Sequence, residues 1–106
     1  MSIITQEQVN ILKTKSLLKE WKHPTKEEIR FYADVNKLLE MENEGLIETG
    51  CSNRERFELS GNKWYFTKSK SDDFKLKTTM SYKETKYKYI YPKLGRLLLE
   101  AAELID

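Results

Sequence analysis

The stretch FKLKTTMSYKETKYKYIY, residues 74–91, decides the predicted fold. In its first half, phenylalanine and leucine alternate with lysines, and in its second half tyrosines alternate with lysines. This period of two is typical of strands that bury one face. We therefore predict two paired strands with an apolar, aromatic face and a basic face, and the lysines of the basic face are Lys75, Lys77, Lys86 and Lys88.

A hairpin is predicted immediately before this stretch. Arg54 to Leu59 is its first strand, residues 60–62 (Ser-Gly-Asn) form the turn, and Lys63 to Lys68 is the return strand. Together with residues 74–91, the hairpin gives a four-stranded antiparallel meander. Tyr65 alternates with its apolar neighbours and is predicted to lie on the basic face.

Two arginines of the first hairpin strand are predicted near one edge of the basic face. Arg54 and Arg56 carry rigid guanidinium groups that suit bidentate contacts with carboxylate or phosphate. They could equally pair with Glu55 and Glu58 of the same segment.

Helices are predicted on either side of the meander. Thr5 has capping-box spacing with Gln8 and starts a first helix, whose apolar positions continue to Trp21 before Pro24. A second helix runs from the capping spacing at Thr25 to Gly45, and a third begins after Pro92, a residue that suits the first turn of a helix. The predicted fold is a single α+β domain over residues 1–106, in the order α-α-β-β-β-β-α.

Positive charge is concentrated on the predicted sheet. The chain has 106 residues and a net charge of +2. Residues 61–93 contain nine lysines and three acidic residues, which gives +6 for this segment alone. A local field of this kind favours association with a negatively charged partner.

The residue inventory argues against catalysis. His23 and Cys51 are the only histidine and the only cysteine, so neither a catalytic set of nucleophile, base and orienting group nor a zinc tetrahedron is indicated. We expect no enzyme activity, catalytic residues, metal or cofactor. A single cysteine forms no internal disulfide, which favours a reducing, cytoplasmic location. No apolar run approaches the ~20 residues that span a bilayer.

The sequence favours a non-enzymatic binding module, a small regulator, adaptor or inhibitor, which binds a protein partner through the basic face. The candidate contact residues are Lys75, Lys77, Lys86, Lys88, Tyr65, Arg54 and Arg56. A nucleic-acid partner stays open, and so does the simpler interpretation that the lysines only keep the sheet solvated. Leu99 lies off the apolar stripe of the last helix, which a homodimer through that helix would explain.

An alternative interpretation is a winged-helix DNA-binding regulator, which residues 24–47 and the hairpin from Arg54 to Lys68 resemble. This resemblance requires the chain to turn near residues 33–34, with Asp34 as the N-cap of the recognition helix. That helix would carry Glu40, Glu42 and Glu44, whose negative charges oppose contact with phosphates.

Overall fold

The computed structural model describes residues 3–50, 54–68, 73–79 and 94–105. These residues form an α+β fold, as predicted, but the predicted order of elements is wrong in the N-terminal half. The elements are β1 (Ile3–Ile4), α1 (Gln6–Thr14), β2 (Leu18–Lys22), β3 (Ile29–Ala33), α2 (Val35–Asn43), α3 (Arg54–Gly61), β4 (Trp64–Lys68), β5 (Phe74–Thr78) and α4 (Leu94–Glu103).

The described strands form one antiparallel sheet in the order β1-β5-β4-β3-β2. Phe31, Phe66 and Phe74 point from this sheet into a core that also contains side chains of all the described helices. The helices therefore cover one face of the sheet, which we call the inner face. The opposite, outer face carries Ile3, Lys19, Trp21, Arg30, Tyr32, Tyr65, Thr67, Lys75 and Lys77.

Helix α1 begins as predicted but ends earlier. Thr5 is its N-cap and forms a complete capping box with Gln8. After the helix, Ser16 adopts a φ of 60°. The Ser16 N–H donates to the Lys13 carbonyl at 3.0 Å, and the Leu17 N–H donates to the Leu12 carbonyl at 2.9 Å. These two bonds are those of a Schellman motif, which reverses the chain at a helix end.

Residues 18–22 and 29–33, which the sequence predicts to be helical, form strands β2 and β3. All residues of the two strands pair, from Leu18 opposite Ala33 to Lys22 opposite Ile29. In β3, Phe31 is 5% exposed and enters the core, while its neighbour Tyr32 lies on the outer face. The apolar positions fit a helical stripe and a pair of strands equally well, and pairing between the two segments selects the strands.

The second predicted helix starts at Asp34 instead of Thr25. Thr25 lies in the loop between β2 and β3, where the Nδ1 atom of His23 accepts hydrogen bonds from the backbone N–H groups of Thr25 and Lys26, both at 3.1 Å. The Asp34 carboxylate caps α2 by accepting from the Lys37 N–H at 3.2 Å. The helix ends before Gly45, whose φ of 77° gives the predicted glycine stop.

The first strand of the predicted hairpin is wrong, because residues 54–61 form α3. Phe57 and Ser60 are buried, 1% and 0% exposed, and they are spaced as on one face of a helix. Leu59, which would share a face with Phe57 in a strand, is 40% exposed. The Arg54 Nε atom lies 3.1 Å from Glu58 Oε1, an i,i+4 pair that only a helix brings together.

Strands β4 and β5 and helix α4 are confirmed where the structure describes them. Phe66 lies opposite Leu76 on the inner face, and Tyr65 lies opposite Lys77 on the outer face. The predicted fourth strand, with Lys86 and Lys88, falls outside the described residues. None of the described helices combines the length and apolar character that crossing a membrane requires.

A lysine side chain ties α1 to the end of α4. Lys15 Nζ donates to the carbonyl oxygens of Ala102 and Ile105, at 2.7 Å and 2.5 Å. Carbonyl groups at a helix C-terminus lack intrahelical partners and carry partial negative charge, so a cation stabilises them. The contact fixes the two helices relative to each other on the inner face.

Candidate partner-binding surface

The outer face arranges its side chains in two rows that cross β2, β3, β4 and β5. The sheet register aligns residues from distant parts of the chain, since each strand contributes one side chain to each row. The first row is Lys19, Tyr32, Tyr65 and Lys77, and the second is Trp21, Arg30, Thr67 and Lys75. In both rows the side chain on β5 is a lysine.

Arg30 lies at the centre of this surface and is held by four neighbours. Its guanidinium carbon is 4.7 Å from the centre of the Trp21 ring and 4.4 Å from the centre of the Tyr65 ring. Its Nε atom donates to Glu28 Oε1 at 3.2 Å, and its Nη1 atom donates to the Tyr32 hydroxyl at 3.3 Å. Contacts with two rings and two hydrogen bonds restrict the guanidinium to one orientation.

The charges at this centre balance at neutral pH. The hydrogen bond from Arg30 lowers the pKa of Glu28, while the hydrogen bonds to Tyr32 and Glu28 raise the pKa of Arg30. Burial raises the pKa of Tyr65, so its hydroxyl stays protonated. The guanidinium and the carboxylate therefore form a charged pair beside neutral aromatic rings, and the net positive charge of the surface comes from its lysines.

The lysines lie at two margins of the surface. Lys19 is on β2, and its side chain is 63% exposed with the Asp34 carboxylate 4.0 Å away. Lys75 and Lys77 are on β5, on the other side of β3 and β4. Since neighbouring strands are about 4.8 Å apart, the two margins are separated by roughly 14 Å. An aromatic centre thus lies between two cationic edges.

Exposure differs strongly among the aromatic side chains. Trp21 is 39% exposed, whereas Tyr65 is only 7% exposed. The Tyr65 ring is covered by Arg30 and by Tyr32, whose ring centre is 5.5 Å away. Trp21 is therefore the aromatic side chain that a partner reaches most directly, and Tyr65 acts as a support beneath Arg30.

The structure brings together some of the residues predicted from the sequence. Tyr65, Lys75 and Lys77 share the outer face, as predicted. Lys86 and Lys88 lie outside the described residues. Arg54 and Arg56 belong to α3, a helix of the helical layer, and not to a strand of the sheet. Their predicted position at its edge followed from the incorrect strand.

Sequence reasoning missed the half of the surface that β2 and β3 supply. Lys19, Trp21, Arg30 and Tyr32 were placed in the first two predicted helices. A signal for β3 is present, because Phe31 and Ala33 alternate with Arg30 and Tyr32. That alternation covers only a few residues, and the capping-box spacing at Thr25 obscured it.

Three features of the sequence suggest a contact through the helices and have explanations within the chain: Leu99 lies off its predicted stripe, Met41 lies off the stripe of the second predicted helix, and Glu42 lies on that stripe. Leu99 packs against the core, and Met41 is 5% exposed. The Glu42 Oε2 atom accepts from the Thr49 N–H at 2.9 Å and from the Thr49 hydroxyl at 2.5 Å. These residues therefore give no reason for a homodimer through α4.

Within the described residues, no group of three or more histidine, cysteine, aspartate or glutamate side chains is placed to hold a metal ion. Comparisons with protein-family models, curated proteins and solved structures find no match to this chain. The outer face and its chemistry are thus the basis for a functional assignment.

Proposed function

We propose that this protein is a non-enzymatic binding module, a small regulator, adaptor or inhibitor, whose outer face binds an acidic surface of a protein partner. One observation carries the proposal. Arg30 is fixed between Trp21 and Tyr65 at the centre of a face whose margins carry Lys19, Lys75 and Lys77. The single cysteine of the chain suits action in a reducing compartment such as the cytoplasm.

The composition of the outer face matches that of protein–protein contacts. Tryptophan, tyrosine and arginine are enriched among the residues that contribute most to binding, and they cluster near the centre of an interface. Charged residues at the rim add specificity and accelerate association with a partner of opposite charge. Because Arg30 is already ordered, binding costs less side-chain entropy than it would for a free arginine.

Single-stranded nucleic acid fits the surface less well. Stacking of successive bases needs several exposed ring faces, but Tyr65 is only 7% exposed beneath Arg30, which leaves Trp21, at 39%, as the more accessible of the two rings. The winged-helix alternative loses its structural premise, since β3 precedes α2 where a helix was required and α3 occupies the first strand of the wing.

Affinity capture from native lysate with matched variants tests the proposal. The tagged wild-type chain is compared with Trp21→Ala and with the double variant Lys75→Glu/Lys77→Glu, each with and without nuclease. The control is Arg54→Glu/Arg96→Glu, which makes the same change in net charge on exposed positions of the helical layer. Circular dichroism and thermal unfolding establish that all variants are folded.

We expect the wild-type and control chains to capture the same protein, insensitive to nuclease and weakened by salt, and both outer-face variants to lose it. A protein retained by both outer-face variants would show that the outer lysines serve solvation alone. If capture disappears with nuclease treatment, the outer face binds a nucleic acid and the proposal of a protein partner is wrong.

A further inference from the structure

The size of the outer face raises the question of how a partner gains enough contact area. Strands β2 to β5 each have five described residues. At about 3.3 Å per residue and 4.8 Å per strand, this part of the sheet covers roughly 300 Å² in projection. A stable protein complex buries about 800 Å² on each partner. A partner that binds this face therefore needs a second contact beside it.

An edge of the sheet adjoins the outer face at Trp21. In the described sheet, β2 is the last strand on that side, and β3 is its only neighbour. The other end of the described sheet is β1, of which the structure describes two residues. Strand β2, with five residues, thus offers the longer edge for pairing with another chain.

The hydrogen bonds between β2 and β3 show which backbone groups face the open edge. The Asp34 N–H donates to the Leu17 carbonyl at 2.8 Å, and the His23 N–H donates to the Glu28 carbonyl at 2.9 Å. In an antiparallel pair, such bonds recur at every second residue. The backbone groups of Lys19 and Trp21 therefore face β3, and those of Leu18, Glu20 and Lys22 face away from the sheet.

The side chains around this edge carry a net positive charge, because three lysines outnumber the carboxylates of Glu20 and Asp34. Lys19 and Lys22 lie on β2, and Lys13 of α1 is 3.8 Å from the Glu20 carboxylate, the single acidic residue of the strand. Lysines on an edge strand disfavour pairing with a second copy of the same chain, because like charges would then lie next to each other. The same lysines attract a strand that carries carboxylates.

We propose that the open edge of β2 receives an extended, acidic segment of the protein partner, which joins the sheet as an additional strand. This inference rests on the proposed function and specifies how the partner binds. Main-chain hydrogen bonds to Leu18, Glu20 and Lys22 supply affinity, and carboxylates of the segment lie beside Lys19 on the outer face and beside Lys22 on the opposite face. An apolar side chain of the segment covers Trp21, which is 39% exposed.

A synthetic peptide tests the edge directly. The probe has about nine residues, with glutamates and valines in successive pairs so that each face of the strand carries both, a length that suits one strand. Its matched controls are the same peptide with alternate backbone nitrogens methylated, which keeps every side chain but removes edge hydrogen bonds, and a lysine–valine peptide of reversed charge. Binding is followed by the NMR signals and hydrogen exchange of individual backbone amides.

Two protein variants at one position complete the design. Glu20→Pro removes an N–H that faces the open edge and leaves the bonds to β3 in place, and proline is tolerated on an edge strand in this orientation. Glu20→Gln keeps that N–H and loses only the charge. Thermal unfolding confirms that both variants keep the fold.

We expect the acidic peptide to slow exchange at Leu18, Glu20 and Lys22 by at least tenfold, with no change at Lys19 and Trp21. Glu20→Pro and the methylated peptide should weaken binding at least tenfold, and Glu20→Gln should bind at least as well as the wild type. Equal binding of the methylated or lysine peptide, or no protection of the edge amides, would overturn the proposal. So would a dimer of this chain that disappears in Glu20→Pro.

The partner captured in the lysate experiment separates this inference from the proposed function. If Trp21→Ala loses that partner while Glu20→Pro keeps it, the outer face binds the partner and the edge does not. If Glu20→Pro loses it while Glu20→Gln keeps it, both proposals stand.

Discussion

The contact between Trp21 and Arg30 allows a quantitative test of the candidate surface by a double-mutant cycle. Trp21→Ala removes the ring, and Arg30→Met removes the guanidinium while keeping an unbranched apolar side chain. The Arg30 side chain is 20% exposed and Trp21 is 39% exposed, so the pair lies between a solvent-exposed and a buried contact. Cation–π contacts contribute about 0.5–1 kcal/mol when exposed and about 2 kcal/mol when desolvated. We therefore expect a coupling energy of about 1 kcal/mol.

The single variants should show larger effects than the coupling term. Arg30→Met also loses the Tyr65 contact and the hydrogen bond to Tyr32, each worth about 1 kcal/mol, and the ion pair with Glu28, worth about 0.5 kcal/mol. We expect it to lower the free energy of unfolding by about 3–4 kcal/mol. A chain of this length has a stability of roughly 5–15 kcal/mol, so such a change is easily measured.

Urea unfolding followed by circular dichroism measures the cycle. The control cycle combines Trp21→Ala with Lys77→Ala, whose positions are on the same face but on β2 and β5 and in different rows, roughly 16 Å apart. That pair should be additive to within about 0.5 kcal/mol. A Trp21–Arg30 coupling no larger than the control value would refute the stacked arrangement at the centre of the surface.

Three further predictions concern the helix ends and a buried tyrosine. Ser16→Gly should raise the free energy of unfolding by about 0.5–1 kcal/mol, and Gly45→Ala should lower it by about 1 kcal/mol, because both positions have positive φ. Urea unfolding that shows no change in either variant would contradict a Schellman motif at these helix ends. Since burial raises the pKa of Tyr65, the unfolded chain loses this proton first, and stability should fall as the pH rises above about 10, the ordinary tyrosine value. Tyr65→Phe should lack the part of this decrease that Tyr65 causes. If the free energy of unfolding of the wild type and of Tyr65→Phe changes equally between about pH 9 and 11, the raised pKa of Tyr65 is excluded as a cause. Lys15→Met should speed hydrogen exchange in the last turn of α4 and cost about 1–2 kcal/mol, and exchange equal to the wild type would show that the Lys15 contacts do not stabilise the helix end.

The sequence predicted one half of the candidate surface and missed the other. In β4 and β5 the alternation continues over several residues on both strands, so Tyr65, Lys75 and Lys77 could be assigned to one face without a structure. For β2 and β3 the periodic signal was ambiguous. The position of Arg30 between Trp21 and Tyr65 could therefore not be predicted from the sequence, because the contact depends on the register of three strands.

The ends of α1 and α2 also differ in whether the sequence predicts them. Both helices terminate in one type of hydrogen-bonded turn, at Ser16 and at Gly45. Glycine adopts positive φ at little cost, so the end of α2 was predictable, whereas serine gives no such signal. By itself the sequence determined the α+β class, the strands β4 and β5, the C-terminal helix and the concentration of lysine near the sheet. Only the tertiary structure decided that residues 18–33 pair as strands and residues 54–61 form a helix, because burial against distant residues selects between local conformations of similar energy.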